Sequence, residues 1–400
     1  MTNKKSKSWN KATSHFQKTL GACLLSSALV GGASEAFAQN FDVEVKSYHV
    51  AGQVWVLTGV GGNVTVQIGD EGVLVVDTQY AEMAPKLLAE IERLAPGKII
   101  RYVINTHAHG DHTGGNQIIR DAGETIVAGN EARDVNETFE PGAEVIAHEN
   151  VMLSMATASN PEIPFDMWPT EVYLGDQYDL YFNDEPIELL YQDRAHTNGD
   201  TMVFFRKSDV ISTGDIYVTG GYPFIDESNF GHINGIVDGL NQIIRITVPR
   251  EQQEGGTMVI SSHGRLSDEA DVVDYRDMIT IIRDRVQYMI DQGMNITPLP
   301  EVKIRRDMVE SQDFFGKTAY YEPTKKEVVL YTEGRHPKDV MRSFVHEMIH
   351  HIQNLEGRLN NIGTTNTNED SNLLELEKEA YLKGNITFRN WEDKVKNENK

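Results

Sequence analysis

One stretch, VINTHAHGDHTGGN at residues 103–116, limits what this chain can become more than any other. Val103 and Ile104 belong to an apolar, β-branched run that reads as a buried strand, and Gly114-Gly115 break the chain just beyond it. Between them stand His107, His109, Asp111 and His112. On an extended strand end the side chains alternate, so His107 and His109 are expected on one side. Asp111 and His112 then arrive from the following turn. Such an arrangement can surround a metal ion from several directions.

The rest of the chain supplies a scaffold for that cluster. VWVLTGV, NVTVQIG and GVLVVDT, between about Val43 and Asp77, read as strands separated by Gly-rich turns. AEMAPKLLAEIERL (81–94) reads as an amphipathic helix, IIRYVINT as a strand, 116–121 as a short helix and TIVAG as a further strand. Residues 140–170 read as an irregular flap of loop and helix. Strands return in EVYLGDQYDLYF, PIELLYQD and TMVFFRKSDVISTGD, then IVDGLNQIIRIT is helical, TMVISSHG a strand and 268–292 a long helix. Alternation of this kind predicts an α/β fold. Three more polar residues follow apolar strands: His196 after IELLYQD, Asp215 after DVI and His263 after TMVISS. Open α/β sheets collect ligands at strand ends in this way.

Taken together, THAHGDHTGGN with His196, Asp215 and His263 downstream resembles the metallo-β-lactamase fold superfamily over about residues 43–290. The resemblance implies an αββα sandwich with metals at one edge, between two sheets. It implies one zinc on His107, His109 and His196, a second on Asp111, His112 and His263, and Asp215 bridging the two. Asp77, in VVDT, matches the family's early aspartate, a support for the metal loop. Zinc accepts such nitrogen and oxygen donors and leaves a position open for water, whose pKa falls to near ~7. The implied activity is attack of a metal-bound hydroxide on the carbonyl of an ester, thioester, lactone or β-lactam, with Asp111 as the catalytic residue that orients it. No cysteine lies near STGD, which excludes the lactamases with a cysteine ligand, and the aspartate there resembles glyoxalase II and lactonases. The family's di-iron oxygen reductases carry Glu where His109 stands, which argues against that branch. A mononuclear iron, sulfur-dioxygenase-like oxidoreductase on the same fold is the alternative. Loop 216–232 is expected to border the substrate. Within it Tyr217, Tyr222 and His232 read as packing or surface residues before they read as substrate contacts, and no Lys follows Asp215 to grip a substrate carboxylate.

GMNITPLP, near 293–300, marks a break, and the composition changes after it. TAYYEPTKKEVVLYT reads as a β-hairpin. HPKDVMRSFVHEMIHHIQNLEG reads as a helix with Pro337 in its first turn and Gly357 past its end. On that helix HEMIH places His346 and His350 four apart on one face, with Glu347 beside them as a candidate general base. The final helix, LLELEKEAYLKG, offers Glu375, Glu377 and Glu379 as a third ligand. At roughly 100° per residue, Leu373, Leu374, Ala380, Tyr381 and Gly384 cluster around Glu377, while Glu375 and Glu379 face nearly the opposite way. A carboxylate amid an apolar face is costly unless paired or metal-bound, which selects Glu377. Residues 296–400 resemble small zincin metallopeptidases, in which HExxH is followed by a Glu-x-x-Ala helix. The resemblance implies a small α+β domain with one zinc on His346, His350 and Glu377, Glu347 as catalytic base, and a peptide substrate laid along the hairpin's edge strand. In the oxidoreductase alternative this half is a non-catalytic zinc-binding module.

The charge excludes one class of partner. At a net −23, the chain would be repelled by a phosphate backbone, so no nucleic acid is expected. Residues 1–38 are basic at first (Lys4, Lys5, Lys7, Lys11, Lys18), apolar from Leu20 to about Val30, and end in Ala36-Phe37-Ala38. That is the pattern of a secretory signal peptide cleaved after Ala38, and the apolar run is too short to span a membrane comfortably. These residues hold five Lys and one Glu, so their removal deepens the net charge from −23 to −27. The expected product is a periplasmic or secreted protein without a membrane anchor, acting on a small molecule. It divides into a hydrolase domain (39–292) and a zincin-like domain (296–400). Cys23, the one cysteine, is lost with the signal, so metals must be held by His and carboxylates.

Overall fold

A computed structural model describes residues 40–125, 142–158, 163–219, 221–252, 255–305, 318–332, 335, 337–360, 362 and 370–398. The signal-like residues 1–38 lie outside this set, as does nearly all of the strand expected at TIVAG.

Compact packing divides the described chain into two units. The first, residues 40–219 and 223–274, opens as an antiparallel meander of β1 (Lys46–Ala51), β2 (Val54–Thr58), β3 (Val64–Gly69) and β4 (Gly72–Val76). Helix α1 (Ala84–Leu94) leads to β5 (Ile100–Ile104), which pairs parallel with β4. After the short helices α2 (Gly110–Thr113) and α3 (Asn116–Asp121), the parallel strands β6 (Glu144–His148) and β7 (Glu171–Tyr173) complete a seven-stranded sheet. Helix α4 (Glu149–Thr157) joins β6 to β7. The chain then builds a second sheet from β8 (Gln177–Phe182), β9 (Glu185–Tyr191), β10 (Thr201–Phe205), β11 (Val210–Ser212), β12 (Met258–Ile260) and β13 (Leu266–Asp268), with α5 (Ile233–Ile246) between β11 and β12.

Period-two alternation sorts the side chains into layers. Leu74, Val76, Ile104 and Ile146 meet Phe182, Leu189, Val203 and Phe205 between the two sheets. Their chain neighbours Val73, Val75, Val103 and Val145 face the other way, onto Leu87 and Ile91 of α1 and Ile119 of α3. Burying each such side chain stabilises by about 1.5–3 kcal/mol. Both faces of β4 and β5 are therefore buried, and these strands serve two apolar layers at once. On the second sheet's outer side, α5 approaches closely through Gly235 and Gly239. A Cβ at Gly235 would lie 2.0 Å from the Arg194 carbonyl, and one at Gly239 would lie 2.8 Å from Ile216. The fold is the expected αββα sandwich of the metallo-β-lactamase type.

Three expectations change in detail. The stretch 140–170 holds the expected helix, Glu149–Thr157, but Glu144–His148 is an inner strand, one in from the sheet's edge, and not part of an irregular flap. EVIAH is buried on both faces and so shows no alternation to read. EVYLGDQYDLYF is two strands in two different sheets, β7 and β8. The strand β5 ends at Ile104, so His107 and His109 lie in a loop and not on a strand end.

The second unit comprises residues 275–398 with Gly221 and Tyr222. Helix α6 (Glu269–Asp291) contributes to it from Tyr275 onward, ahead of the Gly/Pro break. Ile279, Ile282, Val286 and Met289 of this helix are buried, and buried Arg285 donates to the Thr387 carbonyl at 3.5 Å. Strands β14 (Glu301–Arg305), β16 (Glu327–Tyr331) and β15 (Ala319–Glu322) form a sheet in that order. β15 and β16 are the expected hairpin, whereas β14 pairs parallel to β16 and had no clear signal. Its side chains alternate only between exposed and half-buried. Helices α7 (Pro337–Leu355) and α8 (Ser371–Glu398) complete this small α+β unit.

Candidate metal centres

In the first unit the candidate residues gather at one sheet edge because parallel partners end together. β4 and β5 run parallel, so Asp77 and the loop 105–109 emerge side by side. β11 and β12 run parallel, so Asp215 and His263 do likewise. His196 comes from the turn between β9 and β10. Helix α2 turns Asp111 and His112 back toward the cluster.

The structure brings all seven predicted residues together. His107 Nε2 lies 3.1 Å from His109 Nδ1, and His196 Nε2 lies 2.9 Å from the same atom. Asp215 Oδ2 is 3.4 Å from His196 Nε2, while its Oδ1 is 3.3 Å from His112 Nε2 and 3.5 Å from His263 Nε2. Asp111 Oδ2 is 3.3 Å from His263 Nε2 and 3.6 Å from His112 Nε2. Two trios result, His107–His109–His196 and Asp111–His112–His263, with Asp215 between them.

The outward ring nitrogens show what the inward ones carry. His196 Nδ1 donates to the Phe224 carbonyl at 2.9 Å, and His109 Nε2 donates to Asp226 Oδ2 at 2.8 Å. Thr106 Oγ1 donates to Asp77 Oδ2, so His107 Nδ1 must be the donor in its 3.1 Å contact with Thr106 Oγ1. A neutral imidazole has one N–H. Burial holds His107 well below its ordinary pKa, helped by the neighbouring His112 and His196, and burial lowers His196 to about 4, so both rings are neutral at pH 7. The inward lone pairs of His107 and His196 therefore both face His109 Nδ1, at 3.1 and 2.9 Å. Three ring nitrogens so placed form a cradle for a cation. Nitrogens about 2.0–2.1 Å from a tetrahedral zinc would stand about 3.3 Å apart, close to what is seen. The donor set fits a metal.

The second trio is more charged. His112 is fully buried, its Nδ1 donates to Asp77 Oδ2 at 2.8 Å, and among the described residues its Nε2 has no well-aligned hydrogen-bond partner, with Asp215 Oδ1 3.3 Å away. Burial would depress His112, but the carboxylates of Asp215 and Asp77 overcome it and raise its pKa well above the ordinary value. Burial would likewise raise Asp215, and His112 and His196 instead hold it well below the carboxylate range. A metal ion would compete with the His112 proton for the same Nε2. Asp77 itself has φ 63 and also accepts the Thr106 N–H at 2.8 Å, so one strained residue braces both trios. Gly62 presses on the same ring, since a Cβ there would lie 2.4 Å from His112 Cε1.

Sequence reasoning missed Asp226. Its carboxylate would be raised by burial, yet His109, Ser228 and Asn229 hold it far below its ordinary range. The available signal was DESN, whose aspartate caps a turn by accepting from Ser228 N and Asn229 N. Nothing local foretells the reach to His109. Tyr217 is buried with its hydroxyl against Ser267, and His232 accepts from Asn234 N at the start of α5, which are packing and capping roles. Tyr222 belongs to the other unit, where it is partly buried and burial raises its hydroxyl pKa.

In the second unit the helical arithmetic holds. His346 Nε2 and His350 Nε2 are 3.1 Å apart, and Glu377 reaches them at 3.2 and 3.4 Å. Hydrogen bonds from both histidines lower Glu377 to about 2. Glu375 pairs with Lys378, and Glu379 with Arg358 and Lys383, both away from the trio. His350 Nδ1 donates to Gln353 Oε1 at 2.8 Å, and Gln353 Nε2 donates to the Leu376 carbonyl at 3.0 Å, tying α7 to α8 beside Glu377. Among the described residues His346 Nδ1 has no partner. Glu347 is buried, which raises its pKa, and it accepts a hydrogen bond from the Tyr321 backbone. A cavity of about 1010 Å³ opens on this trio, lined by β15 on one side and by Ala380, Tyr381 and Gly384 on another.

Comparison with known proteins agrees with the first unit. The description "Metallo-beta-lactamase superfamily" matches residues 57–263, just over half of the chain. A curated relative, the 2,4-dinitroanisole O-demethylase subunit alpha of a Nocardioides strain, is 28% identical over 174 residues. The match covers 43% of this chain and 46% of that one, so the chain spans about half of the relative's length. Among solved structures, a metallo-β-lactamase from Pontibacter korlensis aligns with a TM-score of 0.44 and 14% identity, covering 59% of this chain and 99% of that one. The DIM-1 metallo-β-lactamase gives 0.44 and 17%, covering 60% and 100%. A double mutant of the sec-alkyl sulfatase PisA1 gives 0.49 and 15%, covering 63% and 44%. Among the described residues no helix is long and apolar enough to cross a membrane. Sequence match and site architecture lead to one assignment: the chain belongs to the metallo-β-lactamase superfamily.

Proposed function

We propose that this protein is a dinuclear zinc hydrolase that opens an ester, thioester, lactone or β-lactam. The observation that supports it is the convergence of three histidine ring nitrogens beside a second, carboxylate-rich trio. In this reading His107, His109 and His196 hold one ion, Asp111, His112 and His263 the other, and Asp215 bridges them. Bound ions of this kind supply a nucleophilic water at neutral pH and polarise a carbonyl. Asp111 faces the open side with 23% of its side chain exposed, where it would orient the attacking water and hold its proton. Asp77 and Thr106 keep His112 and His107 in the tautomers that turn a lone pair inward.

The C-terminal unit is proposed as a zinc metallopeptidase. His346, His350 and Glu377 would hold its ion, and Glu347 would take the proton of the attacking water. An extended peptide would lie along the edge strand β15, which lines the cavity. The proposed setting is periplasmic or secreted.

The test is elemental mass spectrometry of the full chain, with assays on a thioester, a lactone, a β-lactam and 2,4-dinitroanisole, the last because of the Nocardioides relative. About three zincs per chain and turnover of a carbonyl substrate that is lost in His112→Ala and in His263→Ala are expected. Undiminished turnover in either variant would sink the hydrolase reading. Iron together with oxygen uptake would replace it with the mononuclear oxidoreductase.

A further inference from the structure

Loop 223–231 follows Asp215 and borders the first trio, and it does more than edge the site. Phe224 accepts from His196 Nδ1 through its carbonyl at 2.9 Å. Two residues on, Asp226 accepts from His109 Nε2 at 2.8 Å. The loop is stitched to the strand-end turn that carries His196: Asp226 N donates to the His196 carbonyl at 2.9 Å, and His232 N donates to the Ala195 carbonyl at 2.8 Å. Asp226 is also the loop's own organiser. Its Oδ1 takes Ser228 N at 3.0 Å and Asn229 N at 3.2 Å, and the Ser228 hydroxyl besides, while Oδ2 takes Asn229 Nδ2 at 2.7 Å. The Phe224 ring lies over the same two histidines, 5.6 Å from His196 and 6.2 Å from His109 by ring centres, and stays half exposed at 47%.

The outward partners of the first trio are unequal. His107 leans on a hydroxyl and His196 on a carbonyl, both neutral. Only His109 leans on a carboxylate. A carboxylate behind a ligating imidazole fixes its tautomer and raises its basicity. His109 is also the least buried of the three, with 24% of its side chain exposed, so packing alone does not fix its ring.

We propose that Asp226 is the positioning residue of the first metal site, and that through it the substrate-bordering loop and the metal trio form one hydrogen-bonded unit. The consequence is a coupling between metal affinity and loop identity. Phe224 gives this unit an apolar wall beside the first metal, suited to substrates with an apolar or aromatic group next to the scissile bond. The inference rests on the metal reading of this site.

The experiment is chelator-competition titration of zinc into the full chain, comparing wild type, Asp226→Asn and Asp226→Ala, with thermal melts of the metal-free proteins. Asparagine still accepts from Ser228 N and Asn229 N and still caps the turn, but it removes the charge behind His109. A role confined to the turn would leave Asp226→Asn equal to wild type. The expected result is a loss of one zinc's affinity by about 10-fold in Asp226→Asn and up to about 100-fold in Asp226→Ala. The zinc of the Asp111–His112–His263 trio should be unaffected, and the Asp226→Asn melt should be unchanged. Wild-type affinity in Asp226→Asn would overturn the proposal alone. Failure of the wild-type chain to bind zinc in the first unit would overturn the metal reading and this proposal with it.

Discussion

The two candidate centres solve one problem in opposite ways. The N-terminal centre draws donors from loops spread between His107 and His263, and the outward nitrogen of His107, His109, His112 and His196 each has an acceptor. The C-terminal centre uses two adjacent helices, with a four-residue repeat supplying both histidines and a single carboxylate opposite. Among the described residues only His350 has an outward partner there, Gln353. A centre assembled over long sequence distance must rely on a sandwich whose register is fixed elsewhere, and on bracing residues that hold each ring. A centre built on one helix turn inherits its ligand spacing from the helix itself.

The largest effect that tests this contrast is loss of function at one centre with the other intact. His107→Ala should reduce first-unit turnover by more than about 100-fold, beyond what loss of a bracing partner costs, while the proposed peptidase activity stays. Glu347→Gln should do the reverse, removing the proposed peptidase activity while leaving the metal content of the second centre unchanged. Parallel loss of both activities in either variant, read by kcat/KM and metal content, would break the comparison. An intermediate effect should appear in stability. Asp77→Ala leaves buried His112 without its carboxylate and should cost about 3–5 kcal/mol in urea unfolding. Gln353→Ala removes a neutral partner and should cost about 1–3 kcal/mol. Equal costs would show that bracing is no more important in the first centre. The smallest effect belongs to Arg358→Gln. Arg358 is 40% exposed, and its bond is what chiefly holds Glu379 at about 2. A carboxylate depressed on folding stabilises above its unfolded pKa, and that contribution fades as pH falls toward 2. With solvent screening, less than about 1 kcal/mol should be lost at pH 7, and little at pH 2.

Much of both centres was legible because their donors follow rules that act locally. HEMIH states its own geometry, and Glu377 was separable from Glu375 and Glu379 by helical angle and by the cost of a lone carboxylate among Leu373, Ala380 and Tyr381. His196, Asp215 and His263 were legible as polar residues stationed after apolar strands. The convergence of His107 and His109 was anticipated for a reason that does not hold, since the strand stops at Ile104 and the loop does the turning. Asp226 was not legible, because its partner lies 117 positions away and its own neighbourhood advertises only a turn. The inner strand β6 was hidden for a different cause: buried on both faces, it presents no alternation.

Helix α6 bears on how the protein can be taken apart. The Gly/Pro break after residue 292 invites a cloning boundary there, yet Tyr275 to Asp291 pack with the C-terminal unit. A fragment begun at the break discards Ile279, Ile282, Val286 and Met289 and strips Thr387 of the Arg285 guanidinium. Such a fragment would leave the ribosome with an uncovered apolar face and is expected to accumulate in inclusion bodies. One begun at residue 268 would carry its own core with it.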